Sequence, residues 1–128
     1  METMQDIFGD VIYSYSRMQA LEDGVLVDVS DLGREAGIKF PVAMTNGVWA
    51  EYVNVPAGVI GQDEQGRAWD IVWMLRMAIA SGKGGQEIRY SLLVRRDNHR
   101  PKVGTLKAVC GPGDDMEPVI TIMLPDED

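Results

Sequence analysis

The pattern of apolar and polar positions changes period once along the chain. Between residues 68 and 80 only Asp70 and Arg76 interrupt Trp69, Ile71, Val72, Trp73, Met74, Leu75, Met77 and Ile79. A helix apolar on nearly every side is a buried one, so this segment predicts a central helix with Trp69, Trp73 and Met77 in the core. Asp70 in its first turn suits the positive end of the helix dipole. Beyond Ser81-Gly82-Lys83-Gly84-Gly85 the period becomes two, with Ile88, Tyr90, Leu92 and Val94 on one face and Arg89, Ser91 and Arg95 on the other. That alternation predicts a half-buried antiparallel strand. Residues 103–110 and 119–124 predict two more, joined through a turn at 97–102 and a loop at 111–118. Three consecutive strands of this kind make a meander, and the central helix is its natural cover.

Upstream the elements are shorter. Residues 15–24 read as a helix that Ser14 or Ser16 can cap and that Gly24 stops. Val25 to Val29 is too β-branched and too short for a helix and reads as a strand. Ser30 or Asp31 then caps a second short helix that ends at Gly37. Phe40 to Met44 is extended, because Pro41 disfavours a helical conformation at the residue before it. Thr45 or Asn46 caps two turns through Val53, and the glycine, proline and acidic content of residues 56–66 marks a loop. The expectation is α+β: a single domain over residues 1–128, with short helices and a buried central helix packed on a C-terminal antiparallel β-meander. Residues 1–5 and 125–128 are expected to be loose termini.

Composition narrows the class rather than the function. The 45% hydrophobic and 25% charged fractions are those of an ordinary globular protein. No apolar run approaches the ~18 residues of a membrane-spanning helix, and the acidic start METMQDIFGD lacks the basic and apolar regions of a signal peptide. A lone cysteine, Cys110, forbids an internal disulfide and fits a reducing cytoplasm.

Charge changes the picture more. The net charge of -8 argues against a general nucleic-acid binder. It is also unevenly spread. Residues 1–70 hold 4 basic and 12 acidic side chains, residues 71–110 hold 8 and 2, and residues 111–128 hold 0 and 6. A basic middle between acidic ends either neutralises itself across the folded surface or presents opposed faces that steer association with partners. The acidic candidates for a partner-binding surface are Asp114, Asp115 and Glu117, the tail Asp126-Glu127-Asp128, and Asp63, Glu64, Glu22 and Asp23. Pro125 stops the last strand, so the tail carboxylates have no ladder to join and are expected to be solvated or paired with a partner.

Few groups offer chemistry. His99, the single histidine, sits in a turn beside Arg95, Arg96 and Arg100 and reads as an exposed turn residue. Cys110 has no activating base nearby in sequence and reads as an inert thiol. One cysteine and one histidine cannot build the usual zinc site. Three carboxylates in four positions at Asp114-Asp115-Met116-Glu117 lack the twelve-residue spacing of a calcium loop, so neither a metal nor a cofactor is expected. Gly82-Lys83-Gly84-Gly85 follows a helix and precedes a strand, the reverse of the order a phosphate loop needs. Tyr13, Tyr15 and Arg17, with Glu117 as a distant carboxylate, form the one candidate pocket for a nucleotide. The simpler reading is that the tyrosines pack, the serines cap a helix, and Arg17 pairs with Glu22 or Asp23.

The stretches "DIFGDVIYSYSRMQALEDGVLVDVS", "REAGIKFPVAMT", "GQDEQGRAWDIVWMLRMAI" and "GPGDDMEPVITIMLPDED" together resemble a family of small uncharacterised proteins of plasmids, integrative elements and phages. The resemblance runs from about Asp6 to the C-terminus and carries no residue role. It implies a context in which small acidic accessory proteins bind and disable host defence machinery, such as CRISPR complexes and restriction enzymes. The expected function is therefore stoichiometric, non-enzymatic binding in the cytoplasm to a host protein or ribonucleoprotein complex. No direct nucleic-acid contact and no membrane are expected, and the oligomeric state is left open. The alternatives are a small nucleotide- or RNA-directed enzyme using Tyr15, Arg17 and Glu117, and a homo-oligomer using exposed Met and Trp.

Overall fold

A computed structural model describes residues 15–82, 85–95 and 97–127. The expectations that fall on Tyr13, on residues 1–5 and on Asp128 lie outside the described residues. The elements in order are α1 (Arg17–Glu22), β1 (Leu26–Asp28), α2 (Ser30–Ala36), β2 (Val42–Thr45) and α3 (Asn46–Val48). A π-helical turn, Trp49–Val53, continues α3, and α4 (Glu64–Ala80), β3 (Glu87–Val94), β4 (Lys102–Pro112) and β5 (Pro118–Met123) follow. The fold is α+β, as the periodicity predicts.

The three C-terminal strands form the expected antiparallel meander, with Glu87 to Val94 paired against Val109 to Lys102 and Lys107 to Pro112 against Met123 to Pro118. Two upstream strands extend it. β2 runs parallel to β5, with Val42 opposite Ile120, and β1 pairs antiparallel with β2. The result is one five-stranded mixed sheet in the order β1-β2-β5-β4-β3, which leaves β1 and β3 at its edges.

The main core lies between one face of this sheet and the helices α2, α3 and α4. Val42, Met44, Leu106 and Ile122 from the strands meet Val48, Val53, Ile71, Val72 and Leu75, all fully buried. Tyr52 closes one end of this core against Gly104, where a Cβ would stand 2.7 Å from the Tyr52 ring, so only glycine fits at that position. Tyr90 is buried too, and its hydroxyl donates to the Ile71 carbonyl at 3.1 Å. That bond satisfies a polar group which would otherwise be costly to bury. Ala43, Val119 and Met123 point to the opposite face and are buried with Ala20 of α1, outside the main cluster.

Two expectations about α4 need correction. The helix begins at Glu64, four residues earlier than its apolar run, because the Asp63 side chain caps it by accepting from Gly66 N–H at 2.6 Å. Gly66 reads as a breaker in the sequence, yet here it lies inside the first turn. Arg67 thereby becomes helical and buried, donating to the backbone carbonyls of Tyr52 and Arg95 at 2.8 and 2.6 Å. The second correction is burial. Trp73 is 42% exposed and Met77 47% exposed, while Trp69 is partly buried and stacks on Trp73 with ring centroids 5.8 Å apart. The buried stripe is Ala68, Ile71, Val72, Leu75 and Ala78. α4 packs over the edge strand β3, so its other flank has no sheet beneath it.

Candidate functional site

Three surfaces carry the residues singled out by sequence. The first is the start of α1. Ser16 is its N-cap, with Ser16 Oγ accepting from Gln19 N–H at 3.0 Å and Gln19 Oε1 accepting from Ser16 N–H at 3.1 Å. This reciprocal capping box satisfies two of the orphan donors at a helix start. Asp114, from the β4–β5 loop, takes two more: its carboxylate accepts from Arg17 N–H at 2.8 Å and Met18 N–H at 3.0 Å. Those two backbone bonds hold the Asp114 carboxyl below its usual range, helped by the Arg17 charge.

Arg17 does not pair with Glu22 or Asp23. Its guanidinium reaches across to β5, donating to Thr121 Oγ1 at 2.8 Å and to the Ile120 carbonyl at 2.9 Å. Half-burial pulls its pKa down, and the carboxylates of Asp28, Asp114 and Glu117 oppose that shift. Tyr15 packs back along the helix, its hydroxyl donating to the Asp23 carboxylate, which raises the tyrosine pKa. Glu117 closes its own loop by accepting from Asp115 N–H at 2.9 Å. The structure thus brings Arg17, Asp114 and Glu117 together and lays Tyr15 beside Arg17, but each group has a structural partner: Asp114 holds α1 to the β4–β5 loop, Arg17 holds it to β5, Glu117 closes its own loop and Tyr15 bonds the end of its own helix. The stretch is how a helix begins, and how it is fastened to the sheet.

Glu127 is also internal. Its carboxylate accepts from Thr45 Oγ1 and Leu124 N–H, both at 2.8 Å, and its backbone carbonyl accepts from the buried Lys107 ammonium. Through Glu127 the segment after β5 therefore folds back on the sheet. The tail does not need a strand ladder, because side chains supply the partners. Of the ten acidic surface candidates, Asp63, Asp114, Glu117 and Glu127 are tied into caps or turns. Asp23 accepts from Tyr15, while Glu22, Glu64, Asp115 and Asp126 stand exposed.

The second surface contains one of those exposed residues and three that sequence reasoning passed over. Asp28 at the end of β1, Asp31 and Glu35 on α2, and Glu64 at the start of α4 rim a groove of about 560 Å³. Its apolar lining is Val29, Leu32, Ala68 and the partly buried Trp49. Asp31 forms an exposed ion pair with Arg34, and Asp28 accepts from Ser30 N–H at 3.0 Å. The signal was present in the sequence: Asp31 and Glu35 lie four apart on a helix and so share a face. What no local pattern reveals is that α2 packs beside α4 and brings Glu64 to the same rim.

The third surface lies at the outer edge of β3. Trp73 and Met74 of α4, with Leu93 and Val103, line a groove of about 420 Å³, and Asp70 and Ser91 supply its polar groups. Partial burial raises the Asp70 pKa, and nearby Arg67 opposes that shift. Leu93 is 66% exposed and Val103 70% exposed, and the two are cross-strand partners.

Cys110 is a free thiol of intermediate exposure, and His99 is an exposed turn residue. Among the described residues no group of three or more His, Cys, Asp and Glu side chains is placed to hold a metal ion. No described helix is long and apolar enough to cross a membrane.

Fold and surfaces together define a one-domain α+β protein built on a five-stranded mixed sheet, with open grooves on two of its flanks. The chain belongs to the Family of unknown function (DUF6573), which matches it over residues 4–128. No curated protein and no solved structure matches it.

Proposed function

We propose that this chain is a non-enzymatic, cytoplasmic accessory protein of a mobile genetic element. In this reading it binds a host protein or ribonucleoprotein complex stoichiometrically and inhibits a nucleic-acid-targeting defence system of the CRISPR or restriction type. The observation that carries the reading is the acid-rimmed groove around Trp49, with Asp31, Glu35 and Glu64 at its edge. Such a groove suits a cationic surface twice over. The carboxylates attract lysine and arginine and raise the encounter rate, and an indole face receives a guanidinium or ammonium by cation–π attraction. Channels that hold nucleic acid are lined with those cations, so a protein seated on one competes with the phosphate backbone. The net charge of -8 is moderate, so the mechanism is occupation of a cationic patch and not imitation of a whole duplex.

The test is to capture partners from a host lysate on the tagged chain, identify them by mass spectrometry, and titrate the captured complex with the chain. Recovery of a nucleic-acid-acting complex whose activity falls to zero near one-to-one stoichiometry is the expected result. A captured complex that keeps full activity in large excess of the chain overturns the proposal.

A further inference from the structure

The turn at 124–127 is fastened on several sides, and the fastening leads to the groove around Trp49. Pro125 at its second position suits the turn, which closes with Glu127 N–H donating to the Leu124 carbonyl at 3.0 Å. The Glu127 carbonyl accepts from the buried Lys107 ammonium of β4. One carboxylate oxygen, Oε1, accepts from Leu124 N–H and from Thr45 Oγ1, both at 2.8 Å. The seat is shaped for that carboxylate. A Cβ at Gly47 would stand 3.0 Å from Glu127 Oε1 and 3.2 Å from Leu124 Cδ1, so a side chain there would crowd the turn.

Thr45 passes the fastening on. Its hydroxyl has one proton, which goes to Glu127, and the same oxygen accepts from Val48 N–H at 3.2 Å as the N-cap of α3. A hydroxyl that donates to a carboxylate is polarised into a better acceptor, so the two bonds reinforce each other. Val48 is followed directly by Trp49, the first residue of the π-helical turn Trp49–Val53 and the aromatic lining of the groove. Turns of this kind are rare and are frequent at functional sites. The far end of this one is held by packing, through buried Tyr52 and Val53. At the near end Val48 is fully buried, which fixes its depth. The polar chain through Thr45 fixes the direction in which the backbone leaves β2.

We infer that the turn at 124–127 is a latch that aims Trp49 into the groove, and that Glu127 is a positioning residue acting through Thr45. This deepens the functional reading given above and rests on it for what the groove receives. With the latch closed, the indole is ordered before a partner arrives. With it open, the start of α3 loosens, and a partner's cation has to order the indole as it binds, which costs affinity. Glu127 thus serves the acidic groove without lining it, and its carboxylate acts through a hydroxyl rather than through its field.

The experiment reads the free chain, so it decides the latch whether or not a cationic partner for the groove is found. Amide hydrogen exchange is followed by NMR at Val48, Trp49 and Asn54, whose N–H groups donate to Thr45 Oγ1, the Asn46 carbonyl and the Trp49 carbonyl. Val72 and Leu75 in the middle of α4 serve as the reference. Glu127→Ala should speed exchange at the first set by about tenfold, the worth of one hydrogen bond to a charged group, and leave α4 unchanged. Glu127→Gln, which keeps an acceptor oxygen and loses the charge, should fall between the parent and Glu127→Ala. Thr45→Val should match Glu127→Ala, and Thr45→Ser should keep the parent behaviour. Unchanged exchange around Trp49 in Glu127→Ala overturns the inference, because the latch then positions nothing. A rise shared equally by α4 overturns it too, since that is only a general loss of stability. So does a Thr45→Ser variant that exchanges as fast as Thr45→Val.

Discussion

The chain carries acidic residues in two regions that composition cannot tell apart. The loop between β4 and β5 holds Asp114, Asp115 and Glu117, and the groove around Trp49 holds Asp31, Glu35 and Glu64. In the first, Asp114 caps α1 and Glu117 turns its own loop. In the second, Glu35 and Glu64 stand on helix surfaces at the rim of an open groove. The same residue type is structural fastening in one place and available field in the other. Counting carboxylates therefore overstates the charge a partner can meet.

Several substitutions break or sharpen this comparison. The largest effect on stability belongs to the fastening side. Arg17→Ala removes a half-buried cation with two hydrogen bonds to β5. Hydrogen bonds to charged groups are worth about 1.5–3 kcal/mol, and partial exposure places this one toward the low end, at about 2 kcal/mol. For a domain of this size the melting temperature should fall by about 8 °C. Calorimetry on Glu35→Ala and Glu64→Ala should show changes within about 0.5 kcal/mol, as for other exposed positions. A loss in either glutamate variant equal to that of Arg17→Ala would erase the distinction.

Next comes Asp114→Asn, read against pH. The folded-state pKa of Asp114 lies below the ordinary aspartate value of 3.8. Its contribution is therefore fully present above that value and is lost as pH falls through the lower folded value. The parent chain should melt higher than Asp114→Asn at pH 7, and the gap should close as pH is taken below about 4. A gap that widens in acid would mean the carboxylate is not the cap. The smallest effect is at Met116, the one described non-glycine residue with positive φ, at 66°. Met116→Gly should relieve that strain and stabilise by about 1 kcal/mol or less, seen as a small rise in melting temperature.

What was legible in the sequence follows the range of the interactions. The period-two runs at 88–94, 103–110 and 119–124 identify the meander because alternation is local, and the apolar run at 68–80 identifies α4 for the same reason. The α1 cap at Ser16 was readable within three residues. The parallel pairing of β2 with β5 was not, since it joins Val42 to Ile120 with no local mark. Asp114 capping α1 spans 96 and 97 residues, and Glu127 returning to Thr45 spans 82. In each case a local reading treats the carboxylate as solvated, because its partner is supplied by the fold. Trp73 and Met77 fail for a related reason. An all-round apolar helix states that it is covered somewhere, but not that its neighbour is an edge strand beyond which one flank projects.

The central claim is that the groove carboxylates, and not the loop carboxylates, form the working surface. The direct measurement is the association rate with the captured partner at low and at high salt, for two sets of charge reversals. Asp31, Glu35 and Glu64 changed together to lysine should slow association by about tenfold or more at low ionic strength, with the difference shrinking as salt rises. Asp115 and Asp126, exposed but outside the groove, changed to lysine should alter the rate far less. Equal slowing by both sets, or an unchanged rate with the groove reversed, would contradict the account.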